Sequence, residues 1–171
     1  APKGLSLSPR QLHRGGVTEA GAPAPAAMPA LIEAGWSRTG SGGFLGRYNA
    51  LLASATIEAG NHDKDAPTGA RMALARFLVG SELSFEAIGV LNDAARASPR
   101  LLDNPEFRGL RGMARVMARR YKEAEADFSS PVLAEDPSAS LWRGYIASNL
   151  AQWAEARAAF TKGTEAFAMF S

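Results

Sequence analysis

The chain has 171 residues, 46% hydrophobic and 21% charged, with 19 basic against 17 acidic residues and a formal net charge of +2. That length can bury a core of its own, and the near-neutral balance gives no basis for a polyanion binder. No cysteine is present, so disulfides and thiolate metal sites are excluded, and no apolar run approaches the length that spans a bilayer. Charge is even along the chain: six basic and five acidic residues up to Pro67, thirteen and twelve beyond it. The first residues are Ala1, Pro2 and Lys3 rather than methionine, which we read as processing or as excision from a longer sequence.

Residues 1–43 make a Pro/Gly-rich arm whose composition favours extended or polyproline-like backbone and cannot build a core alone. Leu31, Ile32 and Trp36 are its sizeable apolar cluster and the candidate anchors if it docks. A plain linker with one tryptophan is the other reading. Residues 44–66 predict a lead-in helix and turn. Phe44, Tyr48, Leu51, Leu52 and Ala55 fall at helical spacing, and Gly60 and Asn61 end the run.

Residues 67–171 repeat themselves. Gly112 laid on Gly144, 32 residues on, aligns Tyr121 with Trp153, Glu123 with Glu155, Ala124 with Ala156, Ala126 with Ala158 and Phe128 with Phe160. An earlier copy matches at a spacing of 37, pairing Ala75 with Gly112, Glu86 with Glu123, Ala87 with Ala124 and Leu91 with Phe128. A small residue in one helix and an aromatic or leucine in the next is how two helices pack when their backbones cross closely. The units run 67–104, 105–136 and 137–171, and the predicted helices are 67–80, 84–97, 105–119, 121–130, 137–150 and 153–168. Asn104-Pro105 and Asp136-Pro137, again 32 apart, mark two helix starts. The first residue caps free N–H groups, and proline at the first helical position loses no bond.

These residues resemble tetratricopeptide repeats. In the first unit Leu74, Ala75, Leu78, Ala87, Leu91, Ala94 and Pro99 fall at the motif's spacings; the second keeps Gly112, Tyr121, Ala124 and Phe128, and the third Gly144, Trp153, Ala156 and Phe160. Arg111 and Arg143 stand where the motif has leucine. The apolar stripes run instead through Phe107, Leu110, Ala114 and Met117, and through Trp142, Ile146 and Leu150, so the first helices of these two units are turned by about one position. The resemblance covers about 100 of the 171 residues. It implies an all-α fold, an antiparallel helix-pair solenoid of about three repeats behind the irregular arm. The run from Phe107 to Gly112, with 121–127 and 140–144, is also similar to repeat regions of long exported alphaproteobacterial proteins of unassigned role.

Raw material for catalysis is thin. His13 and His62 lie in different irregular segments, and His62 with Asp63 and Asp65 reads as a solvated turn rather than a metal site. Gly40, Gly42 and Gly43 precede a helix, but no strand comes before them and no lysine follows at P-loop spacing. Glu123, Glu125 and Asp127 read as an exposed, charge-paired face. We expect no enzyme, no cofactor and no metal.

Three features point to binding. The resemblance places Met72, Arg76, Gly109, Met113, Leu141, Tyr145 and Asn149 on a concave groove suited to a peptide with apolar anchors. Burial of some of them between repeats is the competing reading. The lysine and asparagine pairs of carboxylate-clamp members are lacking. Arg108, Arg111, Arg115 and Arg119 recur on one helical face, with Arg143 beside Arg111 in the next unit. That basic face either meets an anionic surface or nucleic acid, or pairs with neighbouring carboxylates. Finally, Phe160, Phe167 and Phe170 extend the stripe of Trp153 and Ala156 into an apolar end face. Repeat arrays cover such a face with a cap or a further unit, so it reads as cut or docked. The expectation is a protein–protein interaction scaffold in a larger bacterial assembly of the periplasm or cell envelope, with the cytoplasm as the alternative and self-association possible through the end face.

Overall fold

The computed structural model describes residues 35–61, 63, 65–164 and 166. The anchors Leu31 and Ile32, both histidines, Phe167 and Phe170 lie outside them. Among the described residues every α or 3-10 element is helical and no strand occurs: α1 Gly43–Ala59, α2 Gly69–Gly80, α3 Ser84–Ala97, α4 Pro105–Met117, α5 Tyr121–Phe128, α6 Pro137–Asn149 and α7 Trp153–Gly163. Short 3-10 segments, Pro99–Asp103 and Pro131–Leu133, lead from α3 to α4 and from α5 to α6. None of these helices is long and apolar enough to cross a membrane.

Both predicted caps form. Asn104 Oδ1 accepts the Phe107 N–H at 3.0 Å and Asp136 Oδ1 accepts the Ala139 N–H at 3.0 Å, each ahead of a proline at the first helical position. The start of α2 is made differently. It begins at Gly69, past the predicted Pro67, and Thr68 offers no side-chain cap. Glu58 of α1 supplies one instead, accepting the Ala70 N–H at 2.7 Å, the Arg71 N–H at 3.1 Å and the Arg71 Nε at 2.9 Å. A carboxylate at the positive end of a helix is favourable, and here it ties α1 to α2.

The turns within the three helix pairs, residues 81–83, 118–120 and 150–152, are built alike. In each, one residue enters the left-handed region: Glu82 at φ 62°, Arg119 at φ 58° and Ala151 at φ 59°. The next N–H then reaches back five residues: Leu83 to the Leu78 carbonyl at 2.9 Å, Arg120 to Arg115 at 2.8 Å and Gln152 to Ala147 at 2.9 Å. This is the bonding that ends a helix in a Schellman turn. The three left-handed residues are separated by 37 and 32 positions, the spacings of the sequence repeat. No glycine marks them.

Each helix packs on the next, and a single core runs from Leu51 through Phe77, Leu91, Phe107 and Phe128 to Ile146. The small-residue positions act as read. A methyl on Gly112 would come within 2.5 Å of the Phe128 ring, and one on Gly144 within 2.7 Å of Phe160. Trp36 seats on the end of α2, where a methyl on Gly80 would come within 2.7 Å of it. The first helices are not evenly spaced. α2 packs on α4, and Arg76 pairs with Glu106 across that contact. α4 and α6 meet at most glancingly. That divergence leaves a cleft.

Candidate binding cleft and arginine clusters

The predicted groove residues separate into two groups. Met72 and Met113 are buried in the core and offer no surface to a partner, as is the backbone at Gly109. In α4 the stripe Phe107, Leu110 and Ala114 is wholly buried, and Met113 turns in with it. Arg76 is engaged by Glu106 Oε1, with its Nε at 2.7 Å. Leu141, Tyr145 and Asn149 remain on the opening between α4 and α6.

That cleft has a volume of about 760 Å³ and is walled by Val116 and Met117 of α4, Arg119 of the turn, Tyr121, and Leu141, Trp142, Tyr145 and Asn149 of α6. Tyr145 is 46% exposed and stands edge-on to Tyr121, with ring centroids 6.5 Å apart. Trp142 is held by stacking on Phe128 at 5.7 Å. Asn149 Nδ2 donates to the Tyr145 carbonyl at 2.9 Å. The lining is thus mainly aromatic and aliphatic, with one guanidinium and one carboxamide. Met117, Trp142 and Tyr121 appeared in the sequence as core or repeat positions, and nothing in the spacing separates a core aromatic from one that also faces a cleft.

The basic face is corrected. Arg108, Arg111 and Arg115 do not line a surface but converge on Asp127, whose side chain is fully buried. Asp127 Oδ1 accepts from Arg108 at 3.1 Å and from Arg111 Nη2 at 2.7 Å, and Oδ2 accepts from Arg111 Nε at 3.1 Å and from Arg115. Arg111 also donates to Asn92 Oδ1 at 3.3 Å, joining α4 to α3, and lies 4.9 Å from the Phe107 ring centroid. The sequence had Asp127 exposed; its position on α5 faces α4, and three guanidiniums make its burial tolerable. The repeat register shows what changed. Leu74 and Val90 of the first unit stand where the second has Arg111 and Asp127, so two apolar residues give way to an ion pair. Of the remaining arginines, Arg119 is exposed at the cleft.

Arg143 behaves differently again. It donates to the carbonyls of Phe128 at 3.0 Å and Leu133 at 3.3 Å, and to Ser140 Oγ at 2.7 Å. Burial pushes its guanidinium below the usual value, and the more distant charges of Asp136 and Glu135 offset this in part. It lines a second cavity of about 420 Å³ between α5, α6 and α7. At the end face, Phe160 packs over Gly144 while 40% exposed, and Trp153 is exposed beside it.

No protein-family model, curated protein or solved structure matches this chain.

Proposed function

We propose that this chain is a tetratricopeptide-like solenoid of antiparallel helix pairs that acts as a protein–protein interaction scaffold, taking a peptide segment of a partner in the α4–α6 cleft. The observation that carries the reading is the cleft itself. Its walls offer Met117, Leu141, Trp142 and Tyr145 to apolar anchors, and Arg119 and Asn149 to polar groups. Aromatic and methionine side chains of this kind dominate binding energy at peptide grooves. Three identical turns at the repeat spacings support the solenoid, whose rigidity presents the cleft without a bond-making step. Arg119 favours a partner with a carboxylate near its apolar anchor. Phe160 and Trp153, exposed at the far end, are the surface through which a further subunit or a second copy would stack. The similarity to repeat regions of exported alphaproteobacterial proteins is what favours the bacterial envelope for this assembly, with the cytoplasm as the alternative.

The test is selection of a random peptide display library on the full chain. Enriched peptides should carry an aromatic or large aliphatic anchor beside an acidic residue, and Tyr145→Ala should weaken them at least tenfold, about 1.4 kcal/mol, with unchanged unfolding. Peptides that bind Tyr145→Ala as well as the parent would sink the cleft assignment.

A further inference from the structure

In the second helix pair the buried Arg111 meets a carboxylate of its own chain, Asp127. The third pair keeps an arginine at the same place in the repeat, Arg143, and puts Ala159 where Asp127 stands. The side chain that would meet the guanidinium is cut back to a methyl group. At that place lies the cavity of about 420 Å³, lined by Arg143, Ser140, Ala158, Ala159 and Lys162 among others.

Among the described residues the hydrogen bonds of Arg143 run to neutral acceptors, the carbonyls of Phe128, Leu133 and Ala134 and the Ser140 hydroxyl. These hold the guanidinium in place without neutralising it. A partly buried cation with no salt-bridge partner among the described residues is costly, and burial pushes Arg143 below its ordinary value, an effect that Asp136 and Glu135 offset in part. Lys162 is already turned to Glu135 and the Ala134 carbonyl.

We propose that the cavity between α5, α6 and α7 binds a carboxylate, which a ligand supplies at the place that Asp127 occupies in the preceding helix pair. Arg143 is its charge partner, Ser140 Oγ accepts from the guanidinium and helps to fix it, and Ile146 and Ala147 give the adjoining apolar wall. Glu125 and the exposed Glu155 also line the cavity, and neither pairs with Arg143 among the described residues. That lining disfavours a polyanion and admits a single carboxylate on a small molecule or on a partner's side chain. The volume sits at the lower end of the roughly 300–1,000 Å³ of small-ligand pockets. The site shares no residue with the α4–α6 cleft, so either can fail alone.

The experiment uses the isotope-labelled full chain, titrated in separate arms with acetate and with the capped peptide Ac-Ala-Glu-Ala-NH2, while the Arg143 Nε–H and alanine methyl signals are followed by NMR. Saturable shifts at Arg143 and Ala158 are expected. Saturation by acetate identifies a free small carboxylate, and saturation by the peptide alone identifies a partner's side chain. Ala159→Asp, which installs the carboxylate of the second pair, should abolish the response to both probes and raise the melting temperature. Arg143→Gln should also abolish it. If that variant does not fold, Ala159→Asp and Ala159→Leu, which leave the arginine in place and fill the cavity, still decide. Shifts that never saturate with either probe, an undiminished response in Ala159→Asp, or a lowered melting temperature in that variant would overturn the proposal.

Discussion

Replacing Asp127 by asparagine keeps the shape of the side chain and removes its charge, leaving Arg108, Arg111 and Arg115 around a neutral amide. In the native protein the two carboxylate oxygens accept from all three guanidiniums, at 3.1 Å from Arg108 and 2.7 Å from Arg111. The nearby anion that remains is Glu123, with Oε2 3.6 Å from Arg115 Nε. That Nε is buried and makes no hydrogen bond, so Glu123 cannot take over the role of Asp127. Removing one partner of a buried ion pair costs about 3–5 kcal/mol, because the other charge is left uncompensated. Against a total stability of about 5–15 kcal/mol for a domain, Asp127→Asn should therefore remove about a fifth or more. Melting should fall by roughly 6–20 °C. Urea unfolding followed by far-ultraviolet circular dichroism measures the loss, with Glu123→Gln as the exposed control, expected within about 0.5 kcal/mol of the parent. The deficit should persist at about 1 M salt, which screens exposed pairs and leaves buried ones. A loss under about 1 kcal/mol, or one equal to that of Glu123→Gln, would mean that the carboxylate is not the hub of a buried cluster.

Two further perturbations probe the packing between helices. Ala151→Gly should stabilise the protein by about 0.5–1 kcal/mol in the same unfolding assay, because the left-handed φ of 59° costs an alanine about 1–2 kcal/mol and the added freedom of glycine in the unfolded chain returns part of that; a loss would show that the turn is not left-handed there. Gly112→Ala should destabilise by about 1–3 kcal/mol, since the new methyl would come within 2.5 Å of Phe128, even though alanine is the better helix former by about 1 kcal/mol; a net gain in melting temperature would contradict the close crossing of α4 and α5.

What was legible in the sequence came from short-range chemistry. The Asn104 and Asp136 caps need only their own side chain and the N–H three residues on, so the residue pair announces the helix start. Gly112 with Phe128 and Gly144 with Phe160 recur at one spacing, and the close approach they imply is what the helices make. The sequence placed the breaks between paired helices but not their left-handed conformation, because Glu82, Arg119 and Ala151 adopt a conformation that glycine would have advertised. The start of α2 was misplaced for a related reason: its cap arrives from Glu58, twelve residues away on another helix.

By itself the sequence determined where the helices lie, that they recur, and which small residues let them cross closely. Those properties depend on periodicities of a few residues and on neighbours along the chain. The tertiary structure alone decided which way the faces turn. It buried Met72 and Met113, gathered three arginines of one helix around Asp127 rather than facing them to solvent, and spread α4 from α6 so that Leu141, Tyr145 and Asn149 border a cleft. A helical period places residues on a common face, but burial depends on what lies opposite that face. That is set by contacts between segments many residues apart, and no spacing within a single helix encodes it.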